Sequence, residues 1–276
     1  MIAFLISCSG SPVDTATGSS SAGIPELPEL EAPAEQAQWS AADIEAAIEA
    51  ALVDGYPDAG YMQTAYLEVL SHGDDICPGH ETYIDDRWLY GCTADSGYWF
   101  SGVSEYIQEV TPEYDAVIVA GDLRFEDPSG NEFSIGGHAA VATGSKGDRV
   151  GTFLEISGSW IWEGDPTASW LVGGISGAQS TLIGRSKVMD IIELTGAISF
   201  NGVSLDFEGL SLLSSCDWQA VGAMSIRDPT GIWHRLDYGE ACSSCAHGSW
   251  GETELGEVCP DLSPIVATAA PYLKDL

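Results

Sequence analysis

The chain reads as a mainly β protein: an antiparallel sheet, arranged as a sandwich or as an open or half barrel, preceded by a small N-terminal helical segment. Three observations predict this. Beyond Asp115, apolar and polar residues alternate with the two-residue period of strands that bury one face. Short turn signals break up those runs, among them Asn201-Gly202, Asp127-Pro128-Ser129-Gly130 and Asp228-Pro229-Thr230-Gly231. Helical spacing, by contrast, is concentrated between residues 39 and 70.

Residues 1–35 read as a signal remnant and flexible tether, since 9–23 hold almost nothing hydrophobic. A first helix follows. Ser40 can cap it with Asp43 at its third position, and Ile44, Ala47, Ile48, Ala51 and Leu52 share one face. Gly55 and Pro57 end it. A second helix over 58–70 has an apolar side made by Tyr61, Ala65 and Val69 with Met62, Tyr66 and Leu70. A polar loop at 72–81 leads into short strands at 83–90 and 98–103, with Cys77 and Cys92 bracketing the first and expected to pair. Residues 36–110 are thus expected to form a small α+β unit, 111–262 the β domain and 263–276 a tail or short helix.

Within 111–262 the register can be derived. A two-residue Asn201-Gly202 turn sets Phe200 opposite Val203 and Ile198 opposite Leu205. Ile198, Phe200, Val203, Leu205 and Phe207 then face one way, and Ser199, Ser204, Asp206 and Glu208 the other. The two Asp-Pro-x-Gly sequences fit type I turns with a glycine bulge. Around the first, Val117, Val119, Leu123 and Phe125 share a side with Phe133, Ile135, Ala139 and Val141. Around the second, Met224 and Ile226 join Leu236 and Tyr238. Further strands are expected at 150–162 and 168–175.

Leu5-Ile6-Ser7-Cys8 places an apolar residue three before a cysteine and a small one directly before it. With the tether behind it, this resembles the lipobox of bacterial lipoproteins. The resemblance implies cleavage before Cys8, acylation of Cys8 as the first residue of the mature chain (palmitate among the acyl groups) and attachment to a membrane. Ser9 in place of Asp implies the outer membrane. The stretches GCTADSGYWFSG and CSSCAHGSWGETELGEVC resemble lipoproteins of myxobacteria, a likeness that implies no activity, cofactor or catalytic residue.

In an exported chain the six other cysteines read as three disulfides. Extending the second Asp-Pro hairpin backward brings Cys216 level with Ser244, which favours Cys216–Cys242 and Cys245–Cys259. The alternatives are a four-thiolate zinc site from Cys216, Cys242, Cys245 and Cys259, and a redox pair at Cys242 and Cys245.

A chain of 276 residues with 45% hydrophobic content can bury a real core, and no run approaches the ~18 apolar residues of a spanning helix. Its 42 acidic residues against 9 basic ones, net −33, repel phosphate backbones and anionic lipid, so nucleic acid is excluded as a partner. The acids are spread along the chain and read as salt adaptation or solubility.

Chemistry is harder to find. There is no G-x-S-x-G elbow and no phosphate-cradling loop. His72, Asp74, Asp75, His80 and Glu81 are the densest set of potential metal ligands, in a spacing that matches no zinc-protease or calcium-loop pattern. A polar loop beside a disulfide is the plainer account. His138 falls on a polar strand face, His234 on the half-buried side of Ile226 and Leu236, and His247 bears only on the zinc alternative. Trp160 and Trp162 share a strand face, as core aromatics or as a platform for stacking sugars. The expectation is a non-enzymatic envelope lipoprotein with a binding or structural role and no cofactor. Its partners would be the membrane, through the anchor, and an envelope protein or glycan. The alternatives are a carbohydrate-active protein (a glycan-binding module or a glycoside hydrolase) and a metal-binding protein.

Overall fold

A computed structural model describes residues 39–53, 55–81, 87–146, 149–163 and 174–276. Helix α1 (Ala41–Leu52) starts at the expected capping box: the Ser40 hydroxyl accepts the Asp43 N–H, and the Asp43 carboxylate accepts the Ser40 N–H at 2.8 Å. In α2 (Ala59–Ser71) the cap is Asp58, whose carboxylate accepts the Tyr61 N–H at 2.8 Å. Then come β1 (Gly79–Glu81), β2 (Arg87–Thr93), β3 (Trp99–Val110), β4 (Tyr114–Glu126), β5 (Glu132–Lys146), β6 (Arg149–Glu163) and β7 (Gly174–Arg185). They are followed by β8 (Asp190–Phe200), β9 (Val203–Leu213), β10 (Gln219–Arg227), β11 (Trp233–Ser243), β12 (Ala246–Trp250) and β13 (Thr253–Val258). Helix α3 (Ser263–Asp275) closes the chain segment. The part of the strand expected at 168–175 that precedes β7 lies outside the described residues.

The strands form one antiparallel sheet in chain order, each bonded to its sequence neighbours. Among the described residues β1 and β13 pair on one side only, so the sheet is open, neither a sandwich nor a closed barrel. The strands on either side of residue 110 lie in one sheet. Strands β3 and β4 pair from Trp99 opposite Glu126 to Val110 opposite Asp115, so 87–110 belongs to the same sheet as the rest. The reason is that the Thr111–Tyr114 turn is only a tight hairpin, closed by the Thr111 N–H on the Tyr114 carbonyl at 2.8 Å.

All three helices pack on one face of this sheet: α2 over β4, β5 and β6, α3 over β7 and β8, α1 over β9 and β13. That face carries the alternation read from the sequence. Val119, Leu123 and Phe125 are buried with Phe133, Ile135 and Ala139, as are Ile198, Phe200, Leu205 and Phe207. From the helices Ile44, Ile48, Leu52, Met62, Tyr66 and Val69 meet them. Each such side chain contributes roughly 1.5–3 kcal/mol of transfer free energy. Polar contacts fix the seating of the helices. The Gln63 amide donates to the Val117 and Ala139 carbonyls (2.7 and 3.1 Å), and the Asn201 amide donates to the Ala51 carbonyl (2.8 Å).

Two local features shape the sheet. The Asn201-Gly202 turn has positive φ at both residues (48° and 76°), with Phe200 opposite Val203 and Ile198 opposite Leu205, as derived. Every strand from β5 to β11 also carries one glycine at positive φ: Gly137, Gly158, Gly177, Gly196, Gly209, Gly222 and Gly239. Such kinks bend strands, so a line of them bends the sheet.

Candidate functional site

All six cysteines outside the tether are consumed in disulfides: Cys77–Cys92, Cys216–Cys242 and Cys245–Cys259. No thiolate is left for the four-cysteine zinc site, and Cys242 does not pair with Cys245, so both alternatives fall. The late pairing is the one the register favoured, but it arises differently. Between Ala223–Asp237 and Ala220–Ser243 the β10–β11 ladder slips through bulges, and Ser214–Cys216 leaves the strand as a tight 3₁₀ turn. Cys8 lies outside the described residues.

The 72–81 loop is built from stacking and turn hydrogen bonds. His72 stacks on Tyr98 at 4.4 Å between ring centroids, and His80 on Trp88 at 4.3 Å. The Asp74 carboxylate accepts the N–H groups of Asp95 (2.6 Å), Ile76 (2.9 Å) and Cys77 (2.8 Å), which hold its pKa below the usual carboxylate range. Asp75 is exposed, and Glu81 ends β1 opposite Arg87. Among the described residues no group of three or more His, Cys, Asp or Glu side chains is placed to hold a metal ion.

Trp160 is completely buried, with Phe133 beside it at 6.5 Å, so it fills the core and offers no stacking surface to a sugar. The Trp162 backbone pairs with Phe133 in the same strand ladder. Strand periodicity places aromatics on a face; whether helices cover that face is a tertiary matter.

The most constrained polar group is one the sequence undervalued. Both Asp-Pro-x-Gly turns are built alike: Asp127 accepts the Ser129 and Asn131 N–H groups, and Asp228 accepts those of Thr230 and Ile232. The second carboxylate oxygens then diverge. In Asp127 it accepts the Asn131 amide at 2.7 Å, whereas in Asp228 it pairs with His234 Nε2 at 3.1 Å. His234 is fully buried under Trp39, whose ring stacks at 5.9 Å, and its Nδ1 has no partner among the described residues. Burial pushes the Asp228 carboxyl upward, but hydrogen bonds from Thr230, His234 and Ile232 outweigh it and hold the pKa at about 2. No solvent reaches the pair, so it is a structural pin. The shared face with Ile226 and Leu236 signalled burial; the carboxylate six residues back was the overlooked partner.

On the opposite face of the sheet, His138 Nε2 pairs with Glu155 at 2.8 Å, both about one-third exposed. Nearer the edge of the sheet, His247 pairs with Glu254. At one end of the sheet lies a cleft of about 400 Å³ lined by Ser145, Arg149, Val150, Arg185, Ser186, Lys187 and Leu276. Comparison with protein-family models, curated proteins and solved structures finds no match to this chain.

Proposed function

We propose that the chain is an exported, non-enzymatic lipoprotein, held at the outer membrane by lipid on Cys8, whose sheet binds or braces another envelope component, protein or glycan. The observation that carries this reading is the set of three disulfides, because such cross-links form and persist in oxidising compartments. They cross-link the β1–β2 region and the segment from η-turn Ser214–Cys216 to Cys259, where the strands are short or the ladder slips. The packing is consistent with a scaffold. Helices fill one sheet face, and the most tightly held acid–base pair, Asp228 with His234, is sealed inside. The other face is left to meet a partner.

The test is direct. Expressed with its native upstream sequence in a bacterial host, the protein should incorporate labelled palmitate and fractionate with outer membranes. Cys8→Ala should abolish both. Equal solubility and no label in the unmodified protein would overturn the reading.

A further inference from the structure

We propose that the helix-free face of the sheet docks an amphipathic protein helix with cationic ends, an inference that rests on the reading of that face as the meeting surface for an envelope partner. The strand registers set Glu109, Ala116, Ala142, Phe153, Leu182 and Glu193 opposite one another in a row from β3 to β8. Strand alternation turns this row away from the helices, since the adjacent residues Leu154, Ile183 and Leu194 are buried in the core. Phe153 and Leu182, a directly opposed pair at its centre, are 40% and 41% exposed. Ile107 and Ile118, opposed in the next row of the same face, extend the apolar surface on one side. On the other side Gly144, Gly151 and Gly184 make a row without side chains, where a partner's backbone can come close.

Charge and length select the occupant. In a chain with 42 acids, the row holds none between its two ends and a carboxylate at each end. Glu109 accepts the Tyr114 hydroxyl at 2.9 Å, which orients it, and an ionised carboxylate has further lone pairs for a cation. Glu155, beside Phe153 on the same face, is held by His138 at 2.8 Å. From β3 to β8 the row spans roughly 24 Å at ~4.8 Å per strand spacing, the length of about 16 helical residues. The fitting partner is therefore about four turns of helix with an apolar stripe and Lys or Arg at both ends. Arg149, on the same face of β6 beyond Gly151, keeps cations off that flank. A second copy of this chain is a poor occupant, because each copy carries a net charge of −33 and stacking the two faces brings carboxylate-ended rows together. A glycan needs partners for its hydroxyls, which the centre of the row lacks.

The probe is a fluorescein-labelled synthetic helix of about 16 residues, with a leucine stripe and paired lysines at each end, titrated by anisotropy into the full chain carrying Cys8→Ala. A second peptide carries glutamates in place of the lysines. We expect saturable binding of the lysine-ended peptide, with a Kd of about 1–100 µM. Phe153→Ser and Leu182→Ser should each weaken it about 10-fold or more. Glu109→Gln and Glu193→Gln should each weaken it about 2–5-fold and flatten its dependence on salt. Ile76→Ser, which removes an apolar side chain 83% exposed outside the sheet, should leave binding intact. No saturable binding, equal binding of the glutamate-ended peptide, or equal loss in Ile76→Ser overturns the proposal. So does a dimer in sedimentation equilibrium that Leu182→Ser abolishes, which would assign the face to a second copy, or retention on peptidoglycan with the lysine-ended peptide inert, which would assign it to glycan. Each of these outcomes leaves palmitate labelling of the wild type untouched, so failure here is distinct from failure of the lipoprotein reading.

Discussion

Gly137 and Gly158 stand directly opposite each other across β5 and β6, and neither has room for a side chain. A Cβ on Gly137 would lie 2.0 Å from the Ser157 carbonyl oxygen, and one on Gly158 would lie 2.0 Å from that of Gly136. Gly158 also sits at φ 96°, where other residues are strained. Gly158→Ala should therefore destabilise the fold by about 2–4 kcal/mol, by clash and strain together. Gly136, the next residue along β5 from Gly137, meets nothing within 4 Å. Gly136→Ala should be neutral or stabilise by up to about 1 kcal/mol. Urea denaturation of both variants checks the pair, and equal costs would remove the close approach as the reason for the glycine line.

The face assignment around Asn201-Gly202 gives a second contrast. Phe200 is buried and meets Tyr56 edge-on at 5.6 Å, so Phe200→Ala should cost about 3–5 kcal/mol. Glu208 is exposed on the other face and pairs with Arg235, so Glu208→Ala should cost less than about 1 kcal/mol. A reversal of these two costs in equilibrium unfolding would mean the strand is flipped.

Asp228 should dominate the stability of its hairpin. Asp228→Ala leaves the Thr230 and Ile232 N–H groups and His234 without their acceptor in a buried site, a loss of about 3–5 kcal/mol. Its folded pKa of about 2 lies below the ordinary 3.8, so its stabilisation is present above that ordinary value and disappears as pH falls through about 2. Asp58 runs the other way. Burial raises its pKa despite bonds from Tyr61 and Tyr272, so its charge costs stability at neutral pH, and acidification through its raised value towards 3.8 relieves that cost. Unfolding free energies measured from pH 7 downward should lose part of their acid decline in Asp228→Asn and steepen slightly in Asp58→Asn.

Mass spectrometry of protein made in an oxidising compartment should find the six cysteines blocked to alkylation until reduced. The peptide map should give Cys77–Cys92, Cys216–Cys242 and Cys245–Cys259. Replacing both Cys77 and Cys92 with alanine should lower stability by about 2–4 kcal/mol. Alkylation without reduction would contradict the disulfide assignment.

The local architecture was legible before any coordinates. The Ser40 capping box, the Asn201-Gly202 hairpin with its faces, and the two Asp-Pro-x-Gly turns all follow from interactions within a few residues. Side-chain chemistry decides them without reference to the rest of the chain. Candidate sites fared differently. Trp160 sat on a legible face, but only α2 lying over β4, β5 and β6 makes that face an interior. His72 and Asp74 looked like ligands because sequence shows proximity and not the ring stacking and N–H groups that engage them.

By itself, then, the sequence determined the first two helices, the Ser40 cap, the Asn-Gly and Asp-Pro hairpin turns, the apolar side of the strands around them and the even set of cysteines, because each depends on short-range periodicity or stereochemistry. Only the tertiary structure decided that the thirteen strands among the described residues make one open sheet, that 87–110 joins it, and that Gly137, Gly158 and Gly177 align across it. It alone gathered Arg149, Arg185 and Lys187 at one cleft. These outcomes depend on registers accumulated over many strand pairs. A single bulge, as at Gly222, displaces everything beyond it, and no local pattern counts such displacements in advance.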